Sequence, residues 1–204
     1  YRKRKYNIME SGIINSGKIL LRPKSIEDAQ DDYNWRCDEE LSRLDASRPI
    51  KQTFEEYLRG YKYELNYSNP YSIRFAIDTT EGKHIGNMMC YDINMLMGEC
   101  EIGIMIGDRD YWNHGYGFDS MVGLLDHMFT YRGMYKIYLH TLVWNTRAQK
   151  SFQKCGFTTI ETVRKYGYDF MYMELEKNNW TNNRAAIMQS VEKHGNEIVD
   201  FDQE

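Results

Sequence analysis

The spacing of apolar and polar residues changes along this 204-residue chain, and each change marks a different kind of element. Between Pro23 and Pro70, apolar residues recur every three to four positions, the spacing of one helix face. From residue 71 to 106 they form short runs separated by turn residues, which is typical of β-strands. Beyond residue 106, helical and strand-like segments alternate. An antiparallel meander followed by β-α-β-α-β-β predicts an α+β fold, with a mixed, mostly antiparallel central sheet flanked by helices on both faces.

Proline, glycine and capping residues set the predicted element bounds. Pro23 ends a first strand at 18–23, and Ser25 is placed to cap the first helix. Thr53 opens the third helix, and Gly167 supplies a hairpin turn between the last two strands. The remaining predicted elements are helices near 37–45, 117–131 and 146–155 and strands near 71–78, 84–94, 98–106, 135–143, 157–165 and 168–177.

We expect a single domain over residues 17–180. Residues 1–16 are predicted to be a flexible N-terminal extension; no apolar segment follows its basic start, so no secretory signal is expected. Residues 181–204 are polar and finally acidic. They are predicted to be either a disordered tail or a short helix over 184–193.

Composition narrows the class of protein. The hydrophobic content of 42% suits a soluble globular domain, and no apolar run approaches the ~20 residues of a membrane span. The net charge of −4 and the pI of about 5.8 argue against a general nucleic-acid binder. The sequence therefore predicts neither a membrane nor a nucleic-acid partner.

The cysteines and histidines predict no metal site. The cysteines lack C-x-x-C spacing, which in a domain of this size indicates reduced thiols in the cytoplasm. The histidines show no H-x-x-x-H or H-x-x-E-H spacing. The residues concerned are Cys37, Cys90, Cys100, Cys155, His84, His114, His127, His140 and His194.

The segment 101–117 carries the strongest signal of chemistry. An apolar strand runs into a loop with Gly115 and Gly117, and a helix follows. Glycines allow backbone to approach a ligand closely, and the amides that begin a helix suit a phosphate. The loop has neither the G-x-x-x-x-G-K-[ST] nor the G-x-G-x-x-G pattern. It is therefore either an unusual phosphate cradle or simply a glycine turn before a core helix.

Two motifs that follow one another along the sequence distinguish between these alternatives. W-N-H-G-Y-G at 112–117 is followed by N-T-R-A-Q-K-S-F-Q-K-C-G-F at 145–157. Together they resemble the GNAT superfamily of acetyl-CoA-dependent N-acetyltransferases, in particular the branch with ribosomal-protein alanine and spermidine acetyltransferases. The resemblance covers about residues 18 to 178. Trp112 stands where the family usually has a basic or amide side chain, as is common in this branch.

The resemblance implies acetyl-CoA as cosubstrate and a primary amine as acceptor, either a small amine or polyamine or a protein N-terminus. It also implies that the sheet splays between its fourth and fifth predicted strands, so that pantetheine amides pair with the fourth strand. Dimers are common in such folds. The implied cofactor-binding residues are Ile104, Met105, Ile106, Trp112, Asn113, His114, Gly115, Tyr116, Gly117, Phe118, Asn145, Phe152 and Lys154.

Glu101 is the candidate general base. Strand alternation places it on the face opposite Cys100 and Ile102, and so on the cleft side of the sheet. The family often carries a glutamate at this strand position, where it acts directly or through a water. The alternative is a structural salt bridge.

The chain departs from the family at the leaving-group acid. Phe152 stands where many members have a tyrosine, and phenylalanine cannot donate a proton. Ser151 and Tyr138 are the local candidates for that role, although an ordinary helix-surface hydroxyl and an ordinary strand aromatic explain them equally. Water could also protonate the thiolate. The Phe152 substitution is the best support for an alternative function, a non-catalytic acyl-CoA-binding or regulatory module.

The acceptor pocket is expected between the early helices and the last hairpin. Residues 38–45 bring four carboxylates close together, which suits a cationic acceptor, although a solvated helix face explains them equally. Several tyrosines are candidates for an amphipathic lining. These are Tyr57, Tyr61, Tyr91, Tyr166 and Tyr172.

Overall fold

A computed structural model describes residues 12–67 and 69–196. Its centre is an eight-stranded sheet in the order β1-β2-β3-β4-β5-β6-β8-β7, in which all neighbours are antiparallel except β5 and β6. The fold predicted from the sequence is confirmed. The strands are β1 (Ile14–Ser16), β2 (Ile19–Pro23), β3 (Ile73–Thr79), β4 (His84–Asn94), β5 (Glu99–Ile106), β6 (Lys136–Leu142), β7 (Thr158–Lys165) and β8 (Tyr168–Glu176).

Six α-helices accompany the sheet in the described part of the chain. They are α1 (Ala29–Cys37), α2 (Glu39–Leu44), α3 (Phe54–Asn66), α4 (Tyr116–Asp126), α5 (Thr146–Lys154) and α6 (Lys177–Asn196). Within residues 12–67 and 69–196, none of the helices is long and apolar enough to cross a bilayer.

Local capping explains where the early helices begin. The Thr53 hydroxyl accepts from the Glu56 amide at 3.3 Å, and the Glu56 carboxylate accepts from the Thr53 amide at 2.8 Å. This capping box starts α3 at the predicted place. Asp38 starts α2 by accepting from the Leu41 amide at 2.9 Å.

The sheet separates the molecule into two faces. Helices α4, α5 and α6 cover one face, where Cys100 and Ile102 of β5 lie in the main core. The early helices cover the other face, where Asp32 of α1 contacts Asn87 of β4 at 2.6 Å. Glu101 therefore lies on the face of the early helices, as strand alternation predicts.

The parallel pair β5 and β6 is joined over only three residues. Pairing runs from Glu99 with Lys136 to Glu101 with Tyr138. Beyond that point β5 continues to Ile106 and pairs with β4 alone in the described structure. The two strands part immediately after Glu101, and the space between them is the cleft that the resemblance implies.

The two ends of the domain differ from the prediction. Residues 1–11 of the expected N-terminal extension lie outside the described residues, but Ile14–Ser16 pair with β2 and belong to the sheet. At the other end, the helix is longer than 184–193 because it continues directly from β8. Trp180 and Val191 of α6 are buried, and Arg184 pairs with Asp126 of α4 at 2.5 Å.

Shortening Val191 to alanine is expected to lower the free energy of unfolding by about 1.5 kcal/mol, because two buried methyl groups are removed. Val191 is only 3% exposed and packs in the hydrophobic core. Val143→Ala, at a position 39% exposed, is the matched control and should cost far less. Urea unfolding measures both, and equal losses would show that α6 contributes no more than a surface segment.

Candidate active site

The loop between β5 and α4 is anchored by its tryptophan. Trp112 Nε1 donates to the carbonyl oxygen of Ile106 at 2.7 Å. Asn113 and Gly115 then take positive φ values of 64° and 84°, which turn the chain into α4. A glycine tolerates that conformation without strain, and asparagine is among the residues that adopt it most readily.

This geometry directs main-chain amides to one place. Gly115 caps α4, so the amides of the first turn point out of the helix end, where the helix dipole is positive. Lys18 of the β1–β2 turn donates to the carbonyl of His114 and holds the loop from outside. The arrangement suits a diphosphate.

A cavity of about 380 Å³ lies between this loop, the end of β5 and α5. Asn145 caps α5 by accepting from the Ala148 amide at 3.3 Å. Three cationic side chains of α5 line the cavity, namely Arg147, Lys150 and Lys154. Burial lowers the pKa of Arg147, whose guanidinium lies 3.8 Å from the centre of the Trp112 ring. Cations beside the helix terminus add to its attraction for phosphate.

Eleven of the thirteen predicted cofactor residues line this cavity, and His114 and Tyr116 do not. Those two residues line a neighbouring groove of about 1250 Å³ outside the loop, together with Lys18 and residues of α6. Strand alternation puts the main-chain groups of Ile104 on the edge facing the cleft, as for Ile106. The Ile106 carbonyl is already engaged by Trp112, which leaves Ile104 as the better main-chain partner for a ligand amide.

Glu101 is held at the point where the strands part. Its Oε1 accepts from the Tyr91 hydroxyl at 2.8 Å and lies 2.7 Å from Nδ1 of His140. Burial, followed by the charge of Glu101, raises the pKa of Tyr91, so this phenol remains a donor. Glu101 itself does not line the second cavity, which is described below. Its neighbours Tyr91 and Gly103 do. Tyr91 therefore lies between Glu101 and that cavity.

The structure separates the candidates for the leaving-group acid. Ser151 lines the 380 Å³ cavity beside Phe152, whereas Tyr138 lies between β5 and β8 with its ring 5.7 Å from Tyr172. Burial and then the charge of Glu101 raise the pKa of Tyr138 to about 12. Cys155 is fully buried, and burial raises the pKa of its thiol, which makes it a poor nucleophile.

A second cavity of about 930 Å³ lies under α1 and α3 on the face of Glu101. Three of the five tyrosines expected in the acceptor pocket line it, namely Tyr57, Tyr61 and Tyr91. Tyr166 instead is 93% exposed at the tip of the last hairpin. Tyr172 instead lies beside His140, with ring centroids 5.1 Å apart, and donates to Glu174.

The carboxylates of residues 38–45 are largely engaged elsewhere. Asp38 and Glu40 both bind Arg109, at 2.7 Å and 3.0 Å. Only Asp45 of this group lines the 930 Å³ cavity, and burial raises its pKa. The solvated helix face is thus the better interpretation of most of this acidic segment.

Asp32 is the most enclosed carboxylate of the 930 Å³ cavity. It binds Lys24 at 2.7 Å and accepts from the Tyr61 hydroxyl at 2.9 Å. Burial opposes its ionisation, but hydrogen bonding from His84 and the charge of Lys24 outweigh burial and lower the Asp32 pKa to about 2. Among residues 12–67 and 69–196, no three His, Cys, Asp or Glu side chains are grouped to hold a metal ion.

Sequence reasoning missed four side chains that the fold brings to the 380 Å³ cavity or to the side-chain cluster at Glu101. Arg147 and Lys150 lie on the same helix as Lys154, and helical spacing around Asn145 was the signal that could have found them. His140 and Lys165 carry no such signal, because His140 of β6 reaches Glu101, and Lys165 of β7 reaches His140, only through the folded sheet.

Known proteins share this fold and sequence pattern. Residues 18–158 match the model of the acetyltransferase (GNAT) domain. Spermidine N(1)-acetyltransferase from Vibrio cholerae serotype O1 is 30% identical over 84 residues, which are 41% of this chain and 48% of that protein. The aligned part thus spans about half the length of this curated relative.

Solved structures agree at the level of the fold. Spermidine N-acetyltransferase from Vibrio cholerae, in complex with CoA and spermine, has a TM-score of 0.71 at 20% identity, covering 80% of this chain and 98% of the other. The GNAT-family acetyltransferase from Bacillus anthracis has a TM-score of 0.69 at 16% identity, with coverages of 81% and 99%. Because the family model spans well over half of the chain and these structures share its sheet, the protein belongs to the GNAT acetyltransferase domain family.

Proposed function

We propose that the protein transfers an acetyl group from acetyl-CoA to a primary amine by direct attack in a ternary complex. One observation carries this proposal: the 380 Å³ and 930 Å³ cavities approach each other at Ile104 and Met105, which line both. A thioester bound along β5 and an amine entering from the face of the early helices would meet there. Holding two reactants in this way supplies much of the acceleration.

The chemistry needs a base, because an amine with a pKa of ~10 is mostly ammonium at neutral pH. Glu101 is the proposed base, acting directly or through a water at the side of Tyr91. The nitrogen attacks the thioester carbonyl, the carbon–sulfur bond breaks, and the thiolate leaves. Ser151 is the better-placed candidate to stabilise that thiolate, since it lines the cofactor cavity and Tyr138 does not.

The cofactor would lie with its diphosphate on the amides of the 113–118 loop. Arg147, Lys150 and Lys154 of α5 would neutralise phosphate charge, and the main chain of Ile104 would pair with a pantetheine amide. Asn145 would keep its capping role while lining the same cavity.

Four free cysteines support a reducing compartment such as the cytoplasm. A homodimer stays a prediction.

The acceptor is proposed to be a small amine or polyamine, or alternatively a peptide N-terminus. The spermine complex of the Vibrio cholerae protein supports a polyamine. Tyrosine rings in the 930 Å³ cavity also suit an alkylammonium. Each carboxylate lining that cavity, however, already binds a cation: Asp32 with Lys24, Asp45 with Arg36 and Glu64 with Arg74. A polycation would have to displace at least one of these partners.

An amine screen tests the proposal. Thiol release from acetyl-CoA should depend on the amine when spermidine, a monoamine of similar length and a peptide with a free N-terminus are compared. The same peptide with a blocked N-terminus is the control and should be inactive. Tight CoA binding without amine-dependent thiol release would instead favour the non-catalytic acyl-CoA-binding module.

A further inference from the structure

We propose that His140 and Lys165 are positioning residues for Glu101. In this arrangement Lys165 fixes the tautomer of the His140 ring, and the ring holds Glu101 so that one carboxylate oxygen is kept for the amine. The inference rests on the proposed function, with Glu101 as the base.

The three side chains form a continuous chain of contacts. Nζ of Lys165 lies 2.8 Å from Nε2 of His140, and Nδ1 of the same ring lies 2.7 Å from Oε1 of Glu101. The side chains of His140 and Glu101 are 12% and 10% exposed. Lys165 is exposed on β7. This series of contacts therefore extends from the point where β5 and β6 part to the protein surface.

The chemistry at both ends requires the same tautomer. A lysine ammonium has only donors, so Nε2 of His140 must accept from it. An ionised carboxylate has only acceptors, so Nδ1 must carry the proton and donate to Glu101. Lys165 thus favours the donating form of the ring independently of Glu101. Without it, the tautomer would be set by Glu101 alone, which demands a donor only while it is ionised.

Aromatic neighbours fix the plane of the His140 ring. Tyr172, Tyr138 and Phe170 lie around it, with ring centroids at 5.1 Å, 6.2 Å and 6.4 Å. His140 is also the second residue after Tyr138, where β6 has separated from β5. The ring therefore fills the start of the cleft and reaches Glu101 across it.

Both donors reach the same oxygen of Glu101. The Tyr91 hydroxyl and His140 Nδ1 each bond to Oε1, and Oε2 makes no hydrogen bond to the described residues. The carboxylate is thereby oriented by one oxygen while the other is kept for a proton. Positioning of this kind raises turnover without adding to the binding of acetyl-CoA.

Variants of His140 and Lys165 test the inference by their effects on kcat and KM. His140→Leu removes the donor and should lower kcat by about 10-fold, with the KM for acetyl-CoA within about twofold of the parent. His140→Asn places an amide N–H near the position of Nδ1 and should restore most of that loss. Lys165→Met should lower kcat several-fold, while Arg164→Met, at the preceding exposed residue, should not.

A double-variant cycle gives the decisive measurement. Asn has no counterpart of Nε2, so Lys165→Met should have no further effect in the His140→Asn background. Additive losses, or a Lys165→Met enzyme with the parent kcat, would overturn the inference even if His140→Leu fails to fold. If the parent releases no thiol with any amine, the proposed function fails. A parent that is active and sensitive to Glu101→Gln but indifferent to the His140 variants refutes this inference alone.

Discussion

Replacing Glu101 with glutamine is expected to lower kcat by about 100-fold, the lower range for loss of a general base. Glutamine has nearly the same shape, and its amide oxygen still accepts from Tyr91 and from Nδ1 of His140. The side chain should therefore stay in place while its ability to take a proton is lost. Amine-dependent thiol release under saturating acetyl-CoA measures the effect.

A matched control lies on the same face of the same strand. Glu99 pairs with Lys136 at 3.0 Å, two residues before Glu101 and away from the parted region. Glu99→Gln should leave turnover nearly unchanged, and calorimetry should give the same CoA affinity for both variants. Equal turnover in Glu101→Gln and the parent protein would remove Glu101 from the base role and leave the structural ion pair as its function.

Replacing Gly115 with valine is expected to weaken CoA binding by roughly 10- to 100-fold. Gly115 has φ of +84°, a conformation that costs an ordinary residue about 1–2 kcal/mol and a β-branched residue more. Relief of that strain would turn the first amides of α4 away from the phosphate. The loss of one charge-assisted hydrogen bond, worth about 1.5–3 kcal/mol, accounts for the expected change in Kd.

Gly133→Val separates backbone strain from ligand binding. Gly133 also has a positive φ, of 72°, with nothing within 4 Å of an added Cβ. Both variants should lose stability to heat, but only Gly115→Val should lose affinity for CoA in calorimetry. Equal CoA affinities in the two variants would show that the amides at 113–118 are not the diphosphate site.

Local sequence signals located most of the elements and most of the residues that line the 380 Å³ cavity. Thr53 with Glu56 and Asn145 with Ala148 are contacts within one helical turn, so they can be read from neighbouring letters. The glycine loop is equally local, because Gly115 determines the backbone direction at its own position. For the same reason α4 and α5 begin within one residue of their predicted starts.

Contacts between residues far apart in the sequence determined the features that local signals could not predict. The length of α6 depends on Trp180 and Val191 reaching a core formed by distant strands, and its polar composition gives no hint of this. The same applies to the acidic segment 38–45, whose Asp38 and Glu40 are taken by Arg109, about seventy residues later. From composition alone, the carboxylates of that segment were expected to be free to bind a cationic amine.

The sequence by itself determined the α+β class, the glycine loop before α4 and the face on which Glu101 lies, because strand alternation, helix capping and glycine conformations depend on adjacent residues. Only the tertiary structure decided which groups meet Glu101. Tyr91 and His140 contact Glu101 from two different strands, and Lys165 contacts His140 from a third. Their distances are set by sheet register and by the parting of β5 from β6. Register is a property of the assembled sheet, which is why the arrangement around Glu101 could not be predicted from the sequence.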